Sequence, residues 1–234
     1  MKNNIIQNPN LAMLEFVVRK LGELKDEFVF VGGCTTALLV TESVLGIRQT
    51  KDVDCIVDVL TLNEYYHLEK RLKEKGFKKS LKESVICRWY YDDIILDVMP
   101  TDEKILSFGN SWYKPSIQNA IVYEITEYLF IRVITAPYFL ATKLEAFHDR
   151  GKNDFLGSHD LEDIITVIDG RSEIVGEIAM VERDLKMYLA QKFSDFLSND
   201  DFRLALAGHL NHYRSLTEKR VTIVLDRLEK IARL

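Results

Sequence analysis

The segment "KDVDCIV" (Lys51 to Val57) sets two aspartates two positions apart inside a β-branched run. Alternate side chains of a strand face opposite sides, so Asp52 and Asp54 share one face while Val53 and Cys55 take the core face. Like charges a few ångströms apart repel. Carboxylates beside an apolar core therefore require a compensating cation or a place at the exposed end of a sheet. A divalent metal meets that need. Mg²⁺ takes oxygen ligands and divides its shell between one or two carboxylates and a nucleoside triphosphate.

A third carboxylate is expected from a neighbouring strand. In "IILDVMP" (Ile94 to Pro100), Asp97 is an acid within an otherwise apolar run. With three carboxylates, two Mg²⁺ ions would bridge an attacking hydroxyl and a leaving pyrophosphate. Asp52 and Asp54 would hold the triphosphate metal, and Asp97 would help deprotonate the hydroxyl. Asp58 lies further along the Asp54 face and reads as a strand-end charge.

Upstream, "FVFVGG" (Phe28 to Gly33) is a short apolar strand closed by Gly32 and Gly33, and "CTTALLVTESVL" (Cys34 to Leu45) reads as a helix ended by Gly46. Strand, glycine turn and helix in that order bring backbone N–H groups and a positive helix terminus up to a phosphate. The Thr35 and Thr36 hydroxyls are available for phosphate hydrogen bonds or, equally, for capping the helix.

The remaining pattern is α/β at first and helical later. A helix is expected from Asn10 to about Lys25, and another in "NEYYHLEKRLKEK", stopped at Gly76. "SVICRWYY", "IILDVMP", "AIVYEI" and "YLFIRVI" add strands, with Asp92 and Asp93 as a turn between the first two. A mixed sheet of about five strands accounts for them. From Ala136 onward the patterns are mostly helical, which divides the chain into an α/β domain over 1–135 and a helical domain over 136–234.

At 234 residues, 47% of them hydrophobic, the chain is long enough to bury a proper core. A net charge of -5 argues against coating nucleic acid through bulk electrostatics. The basic run from Lys70 to Lys82 reads mainly as a solvated face, and Tyr90, Tyr91, Trp112 and Tyr113 as core or stacking aromatics. Cys34, Cys55 and Cys87 are far apart and embedded in apolar sequence, which suits reduced, packed thiols of a cytoplasmic protein. His148, His159, His209 and His212 show no zinc-ligand spacing with them. No stretch has the ~18 apolar residues of a membrane span.

Taken together, "FVFVGG" and "KDVDCIV" resemble the nucleotidyltransferase superfamily with the DNA polymerase beta type of palm: apolar strand, Gly-Gly or Gly-Ser, helix, then Asp-x-Asp. More narrowly, "RQTKDVD" (Arg48 to Asp54) is similar to the Arg-x-Thr-x-Asp-x-Asp form of AbiEii-like and MenT-like nucleotidyltransferases, many of them toxins of toxin–antitoxin pairs. The resemblance spans roughly residues 28 to 170 and extends to "ATKLEAFHDRGKNDFLGSHDLEDIITVI", with Lys143, Arg150, Asp160 and Asp163 in family order. It implies that Lys143 contacts the nucleotide's phosphates, that Asp160 supports it, and that Arg48 and Thr50 shape the triphosphate pocket. Arg150 and Asp163 are further supports. Cys34 stands beside the glycines where many members carry a phosphate-contacting serine, and His159-Asp160 replaces an Arg-Asp pair.

The implied activity is Mg²⁺-dependent transfer of a nucleoside monophosphate from an NTP to an acceptor hydroxyl, the 3′ end of tRNA foremost, with an antitoxin protein as partner. Two alternatives stand beside it. One is a small-molecule nucleotidyltransferase of the aminoglycoside-modifying kind, which the acidic net charge suits; the other is a catalytically inert nucleotide-binding module.

Overall fold

A computed structural model describes residues 8–42, 46–59, 61–80, 85–107, 109–150 and 154–234. The chain forms two compact units, Met1–Ala37 with Gln49–Thr135 and Leu38–Arg48 with Ala136–Leu234.

The first unit is built on a mixed sheet. Its strands are β1 (Phe28–Val31), β2 (Asp52–Val57), β3 (Arg88–Tyr91), β4 (Ile94–Pro100), β5 (Ile121–Thr126) and β6 (Leu129–Val133). Six strands are thus present among the described residues, in the order β3-β4-β2-β1-β6-β5. β1 and β2 run antiparallel, β2 and β4 parallel, and β1 and β6 parallel. Central β1 is buried at all of its positions, which explains its unbroken apolar run: a strand covered on both faces loses the alternation of a half-exposed one. β2 keeps the alternation at its start, with Val53 and Cys55 fully buried and Asp52 and Asp54 partly exposed.

The first helix, Pro9–Leu21, is capped by the Asn8 side chain, which accepts from the Asn10 and Leu11 N–H groups. It lays Leu14, Val17, Val18 and Leu21 into the core. It ends at Leu21 rather than near Lys25, because Gly22 takes φ 59° and the chain tightens into a 3-10 stretch, Gly22–Glu27. The helix Leu62–Glu74 opens on a capping box in which Thr61 and Glu64 satisfy each other's backbone N–H. Short helices Glu103–Leu106 and Tyr113–Gln118, which the sequence pattern had not indicated, lie between β4 and β5.

The helix expected after the glycines is also shorter. A 3-10 turn, Gly33–Thr35, leads into Thr36–Leu39, and Val40 to Glu42 are not helical, while 43–45 fall outside the described residues. The backbone finds other partners there. The Leu39 carbonyl accepts from Arg171 Nη1 at 2.7 Å, and the Thr41 and Glu42 N–H groups donate to the Gly170 carbonyl at 2.9 Å. Two β-branched residues, Val40 and Thr41, have little helix propensity with which to resist that exchange.

In the second unit the helices Ala136–Asp149, His159–Gly170, Ile174–Met180, Arg183–Leu197, Asp200–His209 and Thr217–Ala232 pack on one another. An aromatic cluster of Phe147, Phe155, Phe193, Phe196 and Phe202 fills part of its core, with Phe196 stacked on Phe202 at 4.9 Å between ring centroids. Among the described residues no helix is long and apolar enough to cross a membrane.

Candidate active site

Parallel pairing of β2 with β4 sets Asp54 directly beside Asp97, and Asp52 follows on the same face of β2. Ligand oxygens of Asp52, Asp54 and Asp97 all lie within 4.8 Å of one another. The sequence-derived trio is thus brought together in the first unit. Asp97 is the most enclosed of the three, with 10% of its side chain exposed against 30% for Asp52.

Neighbours fix the first two carboxylates. The Thr50 hydroxyl donates to Asp52 Oδ1 at 2.5 Å, and the Thr50 N–H donates to the buried Asn10 side chain at 3.0 Å. Gly32 has φ 70°, and a Cβ built on it would lie 1.9 Å from Asp54 Oδ2 and 2.7 Å from Asp54 Cβ. The Asp54 side chain therefore occupies the volume that any other residue at position 32 would fill. The first glycine of the turn serves the carboxylate as well as the backbone bend.

The three residues after the glycines turn inward. Cys34 is fully buried and its thiol donates to the Val31 carbonyl at 3.2 Å; the Thr35 hydroxyl donates to the Gly32 carbonyl at 2.9 Å. The Thr36 hydroxyl is buried without a hydrogen-bond partner. The Cys34 and Thr35 side chains stabilise the turn from within, so its outward-facing polar groups are main-chain ones.

The sequence reading missed Arg88. Its Nε donates to Asp97 Oδ1 at 2.9 Å and its Nη2 to Asp97 Oδ2 at 2.7 Å, a two-point fork, while Nη2 stands 3.7 Å from Asp52 Oδ2. A signal for it was present. A two-residue turn at Asp92 and Asp93 pairs Tyr91 with Ile94, and counting back along that hairpin places Arg88 opposite Asp97. Asn10 had no such signal, since its contact with Thr50 spans 40 positions.

Buried thiols line the apolar side of the carboxylates. Burial raises the Cys55 thiol well above its ordinary value, and the Asp54 charge adds to it. Cys87 is pushed up to about 12, by burial first and by Asp97 second. Neither is a nucleophile at neutral pH.

Arg48, Lys143, Arg150, Asp160 and Asp163 meet in the second unit. Lys143 Nζ lies 2.7 Å from Asp163 Oδ2 and 3.0 Å from Asp160 Oδ1. Arg48 Nη2 reaches Asp163 Oδ2 at 3.1 Å, and Arg150 grips Asp160 with Nε at 2.9 Å and Nη2 at 3.0 Å. Asp160, Asp163 and Lys143 are all buried. Burial alone would raise the Asp160 carboxyl, but hydrogen bonds from Arg150 and the Lys143 charge outweigh it and hold the group below 3.8.

The donor set of the first unit fits a hard divalent cation: three carboxylates, one of them seated against a glycine that leaves room for nothing else. Asp58, by contrast, accepts from Thr101 at 3.0 Å and takes no part.

No protein-family profile matches the sequence, and no curated protein matches it. Among solved structures, the crystal structure of an antigenic nucleotidyltransferase-like protein from Paracoccidioides brasiliensis matches with a TM-score of 0.50 at 17% identity, over 92% of this chain and 92% of that one. An identity that low carries the architecture only: the chain has the fold of a nucleotidyltransferase-like protein.

Proposed function

We propose that the chain is a metal-dependent nucleotidyltransferase, which moves a nucleoside monophosphate from an NTP to an acceptor hydroxyl and releases pyrophosphate. The observation that carries this reading is the convergence of Asp52, Asp54 and Asp97 within 4.8 Å on two adjacent parallel strands of a nucleotidyltransferase-like fold. Mg²⁺ held there would neutralise triphosphate charge and acidify the acceptor hydroxyl.

The chain's own residues do the rest. Asp52 and Asp54 are held in place by Thr50 and Gly32 to receive the metal. Main-chain N–H groups of the Gly32–Gly33 turn take the phosphate contacts, since the Cys34 and Thr35 side chains are committed inward. The acceptor oxygen attacks the α-phosphorus as its bond to pyrophosphate breaks, and the acceptor's proton passes to Asp97. Within the helical unit, Lys143 is assigned to a phosphate contact, its ammonium oriented by Asp160 and Asp163 and flanked by Arg48 and Arg150.

The spacing of Arg48, Thr50, Asp52 and Asp54, which resembles the AbiEii-like and MenT-like form, makes a tRNA 3′ end the favoured acceptor and an antitoxin the favoured partner. The test offers each α-labelled NTP with Mg²⁺ to total tRNA, to aminoglycosides and to the protein itself. Label on tRNA that disappears in Asp52→Ala/Asp54→Ala is the expected result. Label confined to a drug keeps the chemistry and replaces the acceptor; NTP binding with no label on anything overturns the enzyme reading.

A further inference from the structure

Three carboxylates within 4.8 Å carry three negative charges, yet both oxygens of Asp97 are already engaged by one guanidinium. Arg88 holds Asp97 at two points and turns the same Nη2 toward Asp52 at 3.7 Å, so it lies between two carboxylates that a bridging dication would join. The Arg88 side chain is 22% exposed, which leaves little room for solvent to replace it. A guanidinium cannot shed its proton near neutral pH, so this positive charge is permanent.

We propose that Arg88 stands in for the second metal ion: in the absence of nucleotide the site takes one divalent ion, on Asp52 and Asp54, and Arg88 competes with any cation for Asp97. This rests on the reading of the three carboxylates as a metal site and adds how that site is loaded. Charge supports it. One dication and Arg88 balance the three carboxylates, whereas two dications beside Arg88 leave an uncompensated excess in a partly enclosed site. Geometry supports it as well, because a carboxylate held in a two-point arginine fork presents fewer lone pairs to a metal.

The experiment is a Mn²⁺ titration of the whole chain without nucleotide, read by calorimetry and by the electron paramagnetic resonance signal of free Mn²⁺. Wild type is expected to bind one Mn²⁺ per chain. Arg88→Gln, which frees both Asp97 oxygens and removes a nearby positive charge, is expected to bind it about 10-fold more tightly or better. Two equal sites in wild type, or an Arg88→Gln affinity equal to or below wild type, overturns the proposal while the metal reading survives. Absence of Mn²⁺ binding in both proteins removes the metal reading itself, and this proposal with it. Should Arg88→Gln fail to fold by circular dichroism, Arg88→Lys carries the same test. It keeps the charge but gives up the fork, so about 3-fold tightening is expected, and none overturns the proposal.

Discussion

Gly32 is the residue on which the carboxylate geometry turns. Its φ of 70° belongs to the left-handed region, and the place of its missing Cβ is filled by Asp54, down to that side chain's own Cβ at 2.7 Å. Gly32→Ala therefore meets two penalties, backbone strain and a clash with the root of a neighbouring side chain that rotation does not relieve. About 2–4 kcal/mol of stability is expected to be lost, measured as a urea midpoint shift, together with Mn²⁺ affinity. Adding Asp54→Gly removes the clash and leaves the strain, so the double variant should recover part of the stability, and strict additivity would contradict the contact. Arg88 shows the complementary case: a residue whose importance comes wholly from what stands across the hairpin. Nothing in "ICRWYY" marks it apart from a surface arginine until register pairs it with Asp97.

Two helices of the second unit, Ala136–Asp149 and His159–Gly170, are joined by charge as well as by apolar packing. Lys143 on the first sits between Asp160 and Asp163 on the second, with only 9% of its side chain exposed. A buried ammonium is tolerated only while its partners stay ionised. Because the folded Asp160 carboxyl lies below 3.8, its contribution to stability is fully present above that value and is lost as pH falls through the folded pKa. Asp160→Asn is accordingly expected to lower stability by about 3 kcal/mol at pH 7, and the gap to wild type should close as the pH is brought below 3.8. Paired thermal melts at the two ends of that range check it; a gap independent of pH would show that the carboxylate's charge is not what holds the helices. At this level the sequence was a good guide to identity and a poorer one to extent. Helical periodicity located both elements, but the helix after the glycines stops at Leu39 because Arg171 and the Gly170 carbonyl, far away in the sequence, capture its backbone.

Both units carry their own core, and all three cysteines lie in that of the first. Cys34, Cys55 and Cys87 are at most 4% exposed, and burial raises the Cys55 and Cys87 thiols. None is expected to react with a disulfide reagent at pH 8 in the native protein, and all three should react once it is unfolded; fast modification of any one in the native state would contradict the packing. The reduced, packed thiols expected from their spacing are what the structure contains.

Period-2 alternation was enough to put Asp52 and Asp54 on one face and to single out Asp97, because those inferences need only the geometry of a single strand. The apolar strand and glycine turn were legible for the same reason. What the tertiary structure decided was which strands became neighbours. Parallel pairing of β2 with β4 placed Asp97 beside Asp54 and so brought Arg88, already opposite Asp97 through the local β3–β4 hairpin, up to the other carboxylates, and the close approach of β2 to the turn pressed Asp54 into the space of Gly32. Local rules act over a few residues and can be read in order along the chain. Contacts between strands depend on how the whole sheet closes its hydrogen bonds and buries its apolar faces, so the charge balance of the site became visible only with the fold.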